Sequence, residues 1–206
     1  MGTGQASEFE KAVRRTRGVQ PWRRLFHAMG GLVLIAFVQL TGPESALALA
    51  GIGAGAAAAL VLDWARLRVA GVNTLFFRVF SRLASPREAT GIASSTWYMV
   101  GALAVLVIAP PRLFMPSMLV LAFADPAASV VGRVWGRHGL GKGTWEGTTA
   151  FFLVAAAVLT PVTGVGAALF AAAVVAAMEV LPIGLDDNLV VPLGTALALW
   201  LTGTPV

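Results

Sequence analysis

Residues 113–149 read LFMPSMLVLAFADPAASVVGRVWGRHGLGKGTWEGTT, and this stretch decides the fold. It is an apolar run of membrane-span length with one carboxylate, Asp125, set well inside it. A charge near the middle of a membrane helix costs about 2.5–3.5 kcal/mol on insertion scales, so it requires a partner, an aqueous cavity or a function. A basic, Gly-rich loop follows the run and ends in Lys142 and Glu146.

The remainder of the chain has the same character. Its 206 residues are 57% hydrophobic and 12% charged, with a mean hydropathy of +0.80. A water-soluble globular domain is excluded, because apolar runs long enough for a hydrocarbon core of about 30 Å recur throughout. Cysteine is absent, which removes disulfide frameworks and thiolate metal sites. The expectation is an all-α, polytopic integral membrane bundle of about seven transmembrane helices. Apolar segments stand near 25–41, 44–62, 94–109, 113–132, 147–161, 165–181 and 188–203. Residues 1–24, with Lys11, Arg14, Arg15, Arg17, Arg23 and Arg24, read as a basic cytoplasmic or interfacial arm; residues 25–206 read as one transmembrane catalytic domain. Ala46-Leu47-Ala48 has the form of a signal-cleavage site, but the polar arm is long and the apolar sequence continues past it, so no secretory signal is expected.

Lys and Arg give the expected orientation. Six fall in 1–24, five in 63–93 and three in 133–146, whereas the alternate links hold only Arg112. This positive-inside bias puts the N-terminus inside and the C-terminus outside. Most of the unusual polar residues then gather toward the cytoplasmic ends of the helices: His27, Asp63, Glu88, Asp125, Lys142, Glu146, Glu179 and Asp186-Asp187-Asn188.

Helical spacing puts Asp125, Ser129, Gly132 and Gly136 on one face. Such a stripe admits either a second backbone or a phosphate chain. The segment Gly139 to Thr148 has the glycines, the lysine and the following helix start that suit an anion. It is not a P-loop, because Gly143 occupies the Ser/Thr position and no strand precedes it. Glu179, Asp186 and Asp187 are hard oxygen donors that suit Mg²⁺, while an Asp or Asn there also suits a helix cap. His27 is either an interfacial anchor or a site residue. Asp63 with Arg66, and Arg87 with Glu88, read as surface charge pairs, and a solvated Lys142–Glu146 pair is the alternative to an anion seat in the Gly-rich loop. Trp22, Trp97, Trp135 and Trp145 read as an interfacial belt.

Taken in order, these motifs resemble the CTP-dependent polyprenol and lipid kinases, which include dolichol kinase, phytol or farnesol kinase and CTP-dependent diacylglycerol kinase. The resemblance runs from Arg24-Leu25-Phe26-His27 through Glu88, Gly91 and Trp97-Tyr98, then Asp125-Pro126-Ala127-Ala128, Gly132, Gly136, Lys142 and Glu146-Gly147. It ends with Glu179, Asp186-Asp187-Asn188-Leu189 and Pro192. It implies transfer of the γ-phosphoryl of a nucleotide, CTP, to a lipid alcohol with Mg²⁺ assistance. The expected catalytic residues are Asp125, Lys142 and His27, with Glu88 and Asn188 as further site residues. Nucleotide and phosphate contacts are expected from Ser129, Gly132, Arg133, Gly136, Arg137, Gly141, Lys142, Gly143, Thr144 and Gly147. Asp125, Glu146, Glu179, Asp186 and Asp187 are the expected metal ligands. Expected partners are the lipid alcohol, the nucleotide and membrane lipid but no nucleic acid, and any self-association is expected to give a homodimer. The expected location is a prokaryotic cytoplasmic membrane with the site on its inner side. The alternatives are a cytidylyltransferase that makes a CDP-lipid and, more remotely, a small ion-coupled transporter.

Overall fold

The computed structural model describes residues 3–16 and 20–203. Among these, α1 spans Thr3–Arg14, α2 Pro21–Thr41, α3 Ala46–Arg68, α4 Ala70–Val79, α5 Ser94–Ile108, α6 Phe114–Val134, α7 Trp145–Thr163, α8 Val165–Val180 and α9 Asp187–Leu201. Two residue pairs, Gly139–Leu140 (β1) and Gly143–Thr144 (β2), form a small antiparallel ladder between α6 and α7. The fold is all-α apart from that hairpin.

Local chemistry explains the boundaries. The Ser45 hydroxyl accepts from Ala48 N at 3.0 Å and caps α3. Thr144 Oγ1 accepts from Gly147 N at 3.1 Å and caps α7. An Asp186 carboxylate oxygen accepts from Asn188 N at 3.1 Å and caps α9. Pro21 sits in the first turn of α2, where its missing N–H costs nothing. The basic arm therefore ends sooner than its composition suggests, because Arg23 and Arg24 belong to α2; Arg17 lies outside the described residues. The long connection between α3 and α5 holds α4, which meets α1 through an edge-on Phe9–Phe77 contact at 5.7 Å.

Among the described residues, four helices are long and apolar enough to cross a membrane: Pro21–Thr41, Ala46–Arg68, α6 with its preceding turn (Pro111–Val134), and Trp145–Thr163. The other three apolar helices, α5, α8 and α9, have 15, 16 and 15 residues. At 1.5 Å per residue they reach only about 22–24 Å, short of a core of about 30 Å. Of these, α8 and α9 each have one end at the polar cavity described below.

The core is built around α6. Half of its apolar window is buried, against 17%, 22% and 28% for α2, α3 and α7. Phe114, Met118, Leu121, Ala124 and Ala128 of α6 pack with Phe151, Ala155 and Leu159 of α7 and with Val191, Ala198 and Leu199 of α9. The outer surface is apolar instead, with Leu40, Val61, Ile108, Leu153, Phe170 and Trp200 all exposed. An apolar exterior of this kind suits a hydrocarbon solvent.

One expectation needs correction here. Asp63 and Arg66 are not surface charges: they are 3% and 1% exposed and form an ion pair. Arg66 also donates to Asn73 Oδ1 at 3.2 Å and to the carbonyls of Glu88 and Gly91 at 2.6 Å each. Asp63 Oδ2 accepts from Ala93 N at 2.9 Å. The pair pins the segment leading into α5. Local sequence favours a solvated i,i+3 pair; the fold-back of residues 88–93 is what buries it.

Candidate functional site

A cavity of ≈ 730 Å³ lies between the first turns of α2, the Ser85–Arg87 segment, the middle and end of α6, the hairpin, and the near ends of α7, α8 and α9. Its wall carries both signs of charge. Arg23, Arg24, Arg87, Arg133 and Lys142 contribute cations, and Asp125, Glu179 and Asp187 contribute carboxylates. Six separate segments must fold together to collect these eight side chains.

Asp125 lines this cavity from inside α6. Its neighbours Ala122, Ala124 and Ala128 are buried in helix contacts. Among the described residues, no group hydrogen-bonds or ion-pairs with its carboxylate. Of the three solutions open to a carboxylate within an apolar helix, the described residues supply the cavity and no hydrogen-bond or ion-pair partner. One turn on, Ser129 Oγ accepts from Arg24 Nη2 at 2.9 Å, which fixes that arginine over the same face of α6.

Lys142 reaches the site through the hairpin. Gly141 has φ +54°, and a Cβ there would collide with the Val180 carbonyl, so the turn requires glycine. Lys142 N donates to that same carbonyl at 3.2 Å, tying the hairpin to the end of α8. The Lys142 ammonium then pairs with Asp187 of α9, not with Glu146. A Cβ on Gly143 would lie 3.8 Å from Glu179 Oε2, so the Glu179 carboxylate also faces the hairpin.

The small-residue stripe expected on α6 packs against the start of α7, with Gly132 inside the helix and Gly136 past its end at Val134. A Cβ on Gly147 would meet the Ala128 carbonyl at 3.0 Å and Gly132 Cα at 3.3 Å; one on Gly136 would meet Thr144 Cγ2 at 2.8 Å. The second backbone that the stripe admits is the start of α7. Ser129, Gly132, Arg133, Lys142, Gly143, Thr144 and Gly147 nonetheless remain on the cavity wall, whereas Gly136, Arg137 and Gly141 do not line it.

His27 and Asn188 sit together. His27 Nε2 lies 3.0 Å from Asn188 Oδ1, both residues are buried, and Asn188 Nδ2 donates to Asp186 Oδ1 at 2.6 Å. Asp186 is thus engaged in capping α9 and holding Asn188, with Arg87 Nη2 3.8 Å from its second oxygen. Glu146 is not brought to the other carboxylates. Its Oε1 bonds His138 Nδ1 at 2.7 Å, and the two line a separate, shallower depression with Trp145. Glu88 is 4% exposed and pairs with Arg23 at 3.1 Å instead of with its neighbour Arg87.

The cations of the first helical turn are the residues that sequence reasoning left out of the site. Arg23 and Arg24 stand four and three residues before His27, on the same helical face, and that spacing was the available signal. Arg87 also lines the cavity, and its sequence context carries no comparable signal; Thr148 lines it too, at the end of the Gly-rich segment.

Among the described residues, no three His, Cys, Asp or Glu side chains converge as a ready metal cage. Mg²⁺ commonly keeps several waters and takes one or two carboxylates together with substrate phosphates. Asp125, Glu179 and Asp187, on one cavity wall system with five cations, fit that mode of binding.

Comparison with known proteins gives one partial likeness. The chain is 29% identical over 118 residues to the CTP-dependent diacylglycerol kinase 1 of Schizosaccharomyces pombe (strain 972 / ATCC 24843), covering 57% of this chain and 53% of the relative. The aligned region thus spans about half the length of that protein. No family model and no solved structure matches. The chain is similar to a lipid kinase, and it carries a mixed-charge cavity between apolar helices.

Proposed function

We propose that this protein is a membrane-embedded kinase that transfers the γ-phosphoryl of CTP to the hydroxyl of a lipid alcohol. The observation that carries the reading is the carboxylate of Asp125, without a hydrogen-bond or ion-pair partner among the described residues, in a cavity that also holds Lys142, Arg23 and Arg24. The partial likeness to a CTP-dependent diacylglycerol kinase supports the donor and the acceptor class. The alcohol class is an isoprenoid alcohol or diacylglycerol.

Phosphoryl transfer needs charge neutralisation and alignment more than covalent chemistry. Lys142, Arg23, Arg24 and Arg133 bind the phosphate chain, helped by the Ser129 hydroxyl and the backbone of Gly143 and Gly147. Asp125 takes the proton of the alcohol as its oxygen bonds to the γ-phosphorus; the bond to the β–γ bridging oxygen breaks, and CDP leaves. Asp125, Glu179 and Asp187 are the residues that would hold Mg²⁺, which when bound neutralises and aligns phosphate oxygens. His27, held by Asn188, orients the wall beside Asp125. Asp186 serves as the cap that fixes Asn188. In this reading all seven apolar helices lie in the membrane, the N-terminus is inside, and the cavity faces the cytoplasm, where the nucleotide arrives from water and the alcohol from lipid. The distribution of Lys and Arg supports that orientation.

Two expected results follow from the charge arrangement. Lys142→Ala lowers kcat/KM for the nucleotide about 10- to 100-fold, as loss of a hydrogen bond to a charged group worth about 1.5–3 kcal/mol requires. Its melting temperature stays near that of wild type, because the Lys142–Asp187 pair is partly exposed and screened. Steady-state kinetics and a thermal melt of the same preparation check both halves. Chelating divalent metal stops turnover, and adding Mg²⁺ back restores it.

The decisive assay supplies γ-labelled CTP, or γ-labelled ATP, with a panel of lipid alcohols to purified protein and separates the extracted products. Label in the lipid supports the kinase. Label leaving only as pyrophosphate, with the nucleoside monophosphate on the lipid, supports a cytidylyltransferase instead.

A further inference from the structure

The basic wall of the cavity has a support on its outer side. Arg23 Nη2 meets Glu88 Oε1 at 3.1 Å and also donates to Ser94 Oγ. The same Glu88 oxygen accepts from Ser85 Oγ and Ser94 Oγ at 3.1 Å each. Glu88 is buried and one of its oxygens takes all of these contacts, while Arg23 spends one nitrogen on it. Arg23 Nε and Nη1 bond no described residue, and the side chain lines the cavity.

Glu88 is itself held from behind. Arg66, under the ring of Phe76 at 4.5 Å, donates to the Glu88 carbonyl at 2.6 Å, and Asn73 Nδ2 donates to the Ala89 carbonyl at 2.9 Å. Asp63 fixes Arg66 and the Ala93 amide. From α3 to α2 the order is Asp63, Arg66, the Glu88 backbone, the Glu88 carboxylate, Arg23, cavity. A guanidinium immobilised in this way loses less freedom on binding an anion than a free one does, which favours affinity through preorganisation.

We propose that Glu88 is a positioning residue for anion binding: it holds Arg23 toward the cavity, and Asp63 and Arg66 hold Glu88. This rests on the reading that the cavity takes the phosphates of a nucleotide. Glu88 touches no reacting atom, so its effect belongs in phosphate affinity and not in the binding of the alcohol.

The test uses the purified full chain. Binding of inorganic triphosphate and of CTP is measured by calorimetry, with lipid phosphorylation measured in parallel. Glu88→Gln is expected to weaken triphosphate binding about tenfold, the scale of one lost charge-assisted contact, and to raise the KM for CTP equally. The KM for the alcohol stays unchanged. Arg23→Gln weakens triphosphate binding by itself, and adding Glu88→Gln to it weakens binding little further, because the two act through one contact. Wild-type triphosphate affinity in Glu88→Gln, or full additivity with Arg23→Gln, overturns the proposal. If Glu88→Gln does not fold, Ser94→Ala removes the hydroxyl that bridges Glu88 and Arg23, and unchanged triphosphate binding there overturns it equally. Triphosphate binding with the predicted coupling, but no phosphorylation of any lipid alcohol, leaves the positioning role standing and counts against the kinase reading alone.

Discussion

Asp125→Asn is expected to abolish turnover and to melt no lower than wild type. The two halves rest on the same observation: a carboxylate inside an apolar helix, on a cavity wall, with no described hydrogen-bond or ion-pair partner. A side chain placed there for stability would be paired, because an unpaired charge in such surroundings is costly. Replacing it with the isosteric amide removes the charge, keeps the shape and breaks no contact that holds α6. Stability therefore stays level or rises. The chemistry loses the group that takes the alcohol proton or holds the metal, and removing a positioned general base alone costs about 10²–10⁴ in rate. Label transfer from γ-labelled CTP, with a thermal melt of the same sample, reads both quantities. Turnover near the wild-type rate removes Asp125 from the mechanism. A large fall in melting temperature recasts it as a structural residue.

How far the site was legible depends on how local each contact is. Asp125 was legible because one charge in an apolar run is conspicuous whatever lies around it. The start of α7 was legible from hydropathy to within two residues: the segment was expected from 147, and the Thr144 cap begins the helix at Trp145. Lys142 was singled out and lines the cavity, but its partner is not the one local spacing favours. The i,i+4 spacing favours Glu146, whereas the turn at Gly141 carries Lys142 across to Asp187, 45 residues away. Helix bounds were marked better toward the C-terminal end: the segments expected near 165–181 and 188–203 are α8 and α9 to within two residues. Leu181, Ile183 and Leu185 extend the apolar character between α8 and α9, yet the helices stop at Val180 and begin at Asp187. The Asp63–Arg66 pair was the least legible. Opposite charges three apart on a helix look the same whether water or protein covers them, and here the cover comes from residues 73 and 88–93.

That pair carries the other large effect. Arg66→Met is expected to destabilise the protein by about 3–5 kcal/mol, the cost of removing one partner from a buried ion pair. The loss has two separable parts. Asp63, 3% exposed, is left as an uncompensated buried charge, and the carbonyls of Glu88 and Gly91 lose their donor. Replacing both partners, Asp63→Leu with Arg66→Met, removes the stranded charge but leaves the carbonyls and the Ala93 amide unpaired. The double variant should thus be more stable than Arg66→Met and still less stable than wild type. Denaturation midpoints of the three proteins in one detergent measure this ordering. An Arg66→Met protein as stable as wild type would show that the pair is hydrated in solution. A double variant no better than the single one would show that the cost lies in the unpaired carbonyls. On that outcome the contribution of Arg66 to the site is the shape it gives residues 88–93, with its charge counting for little.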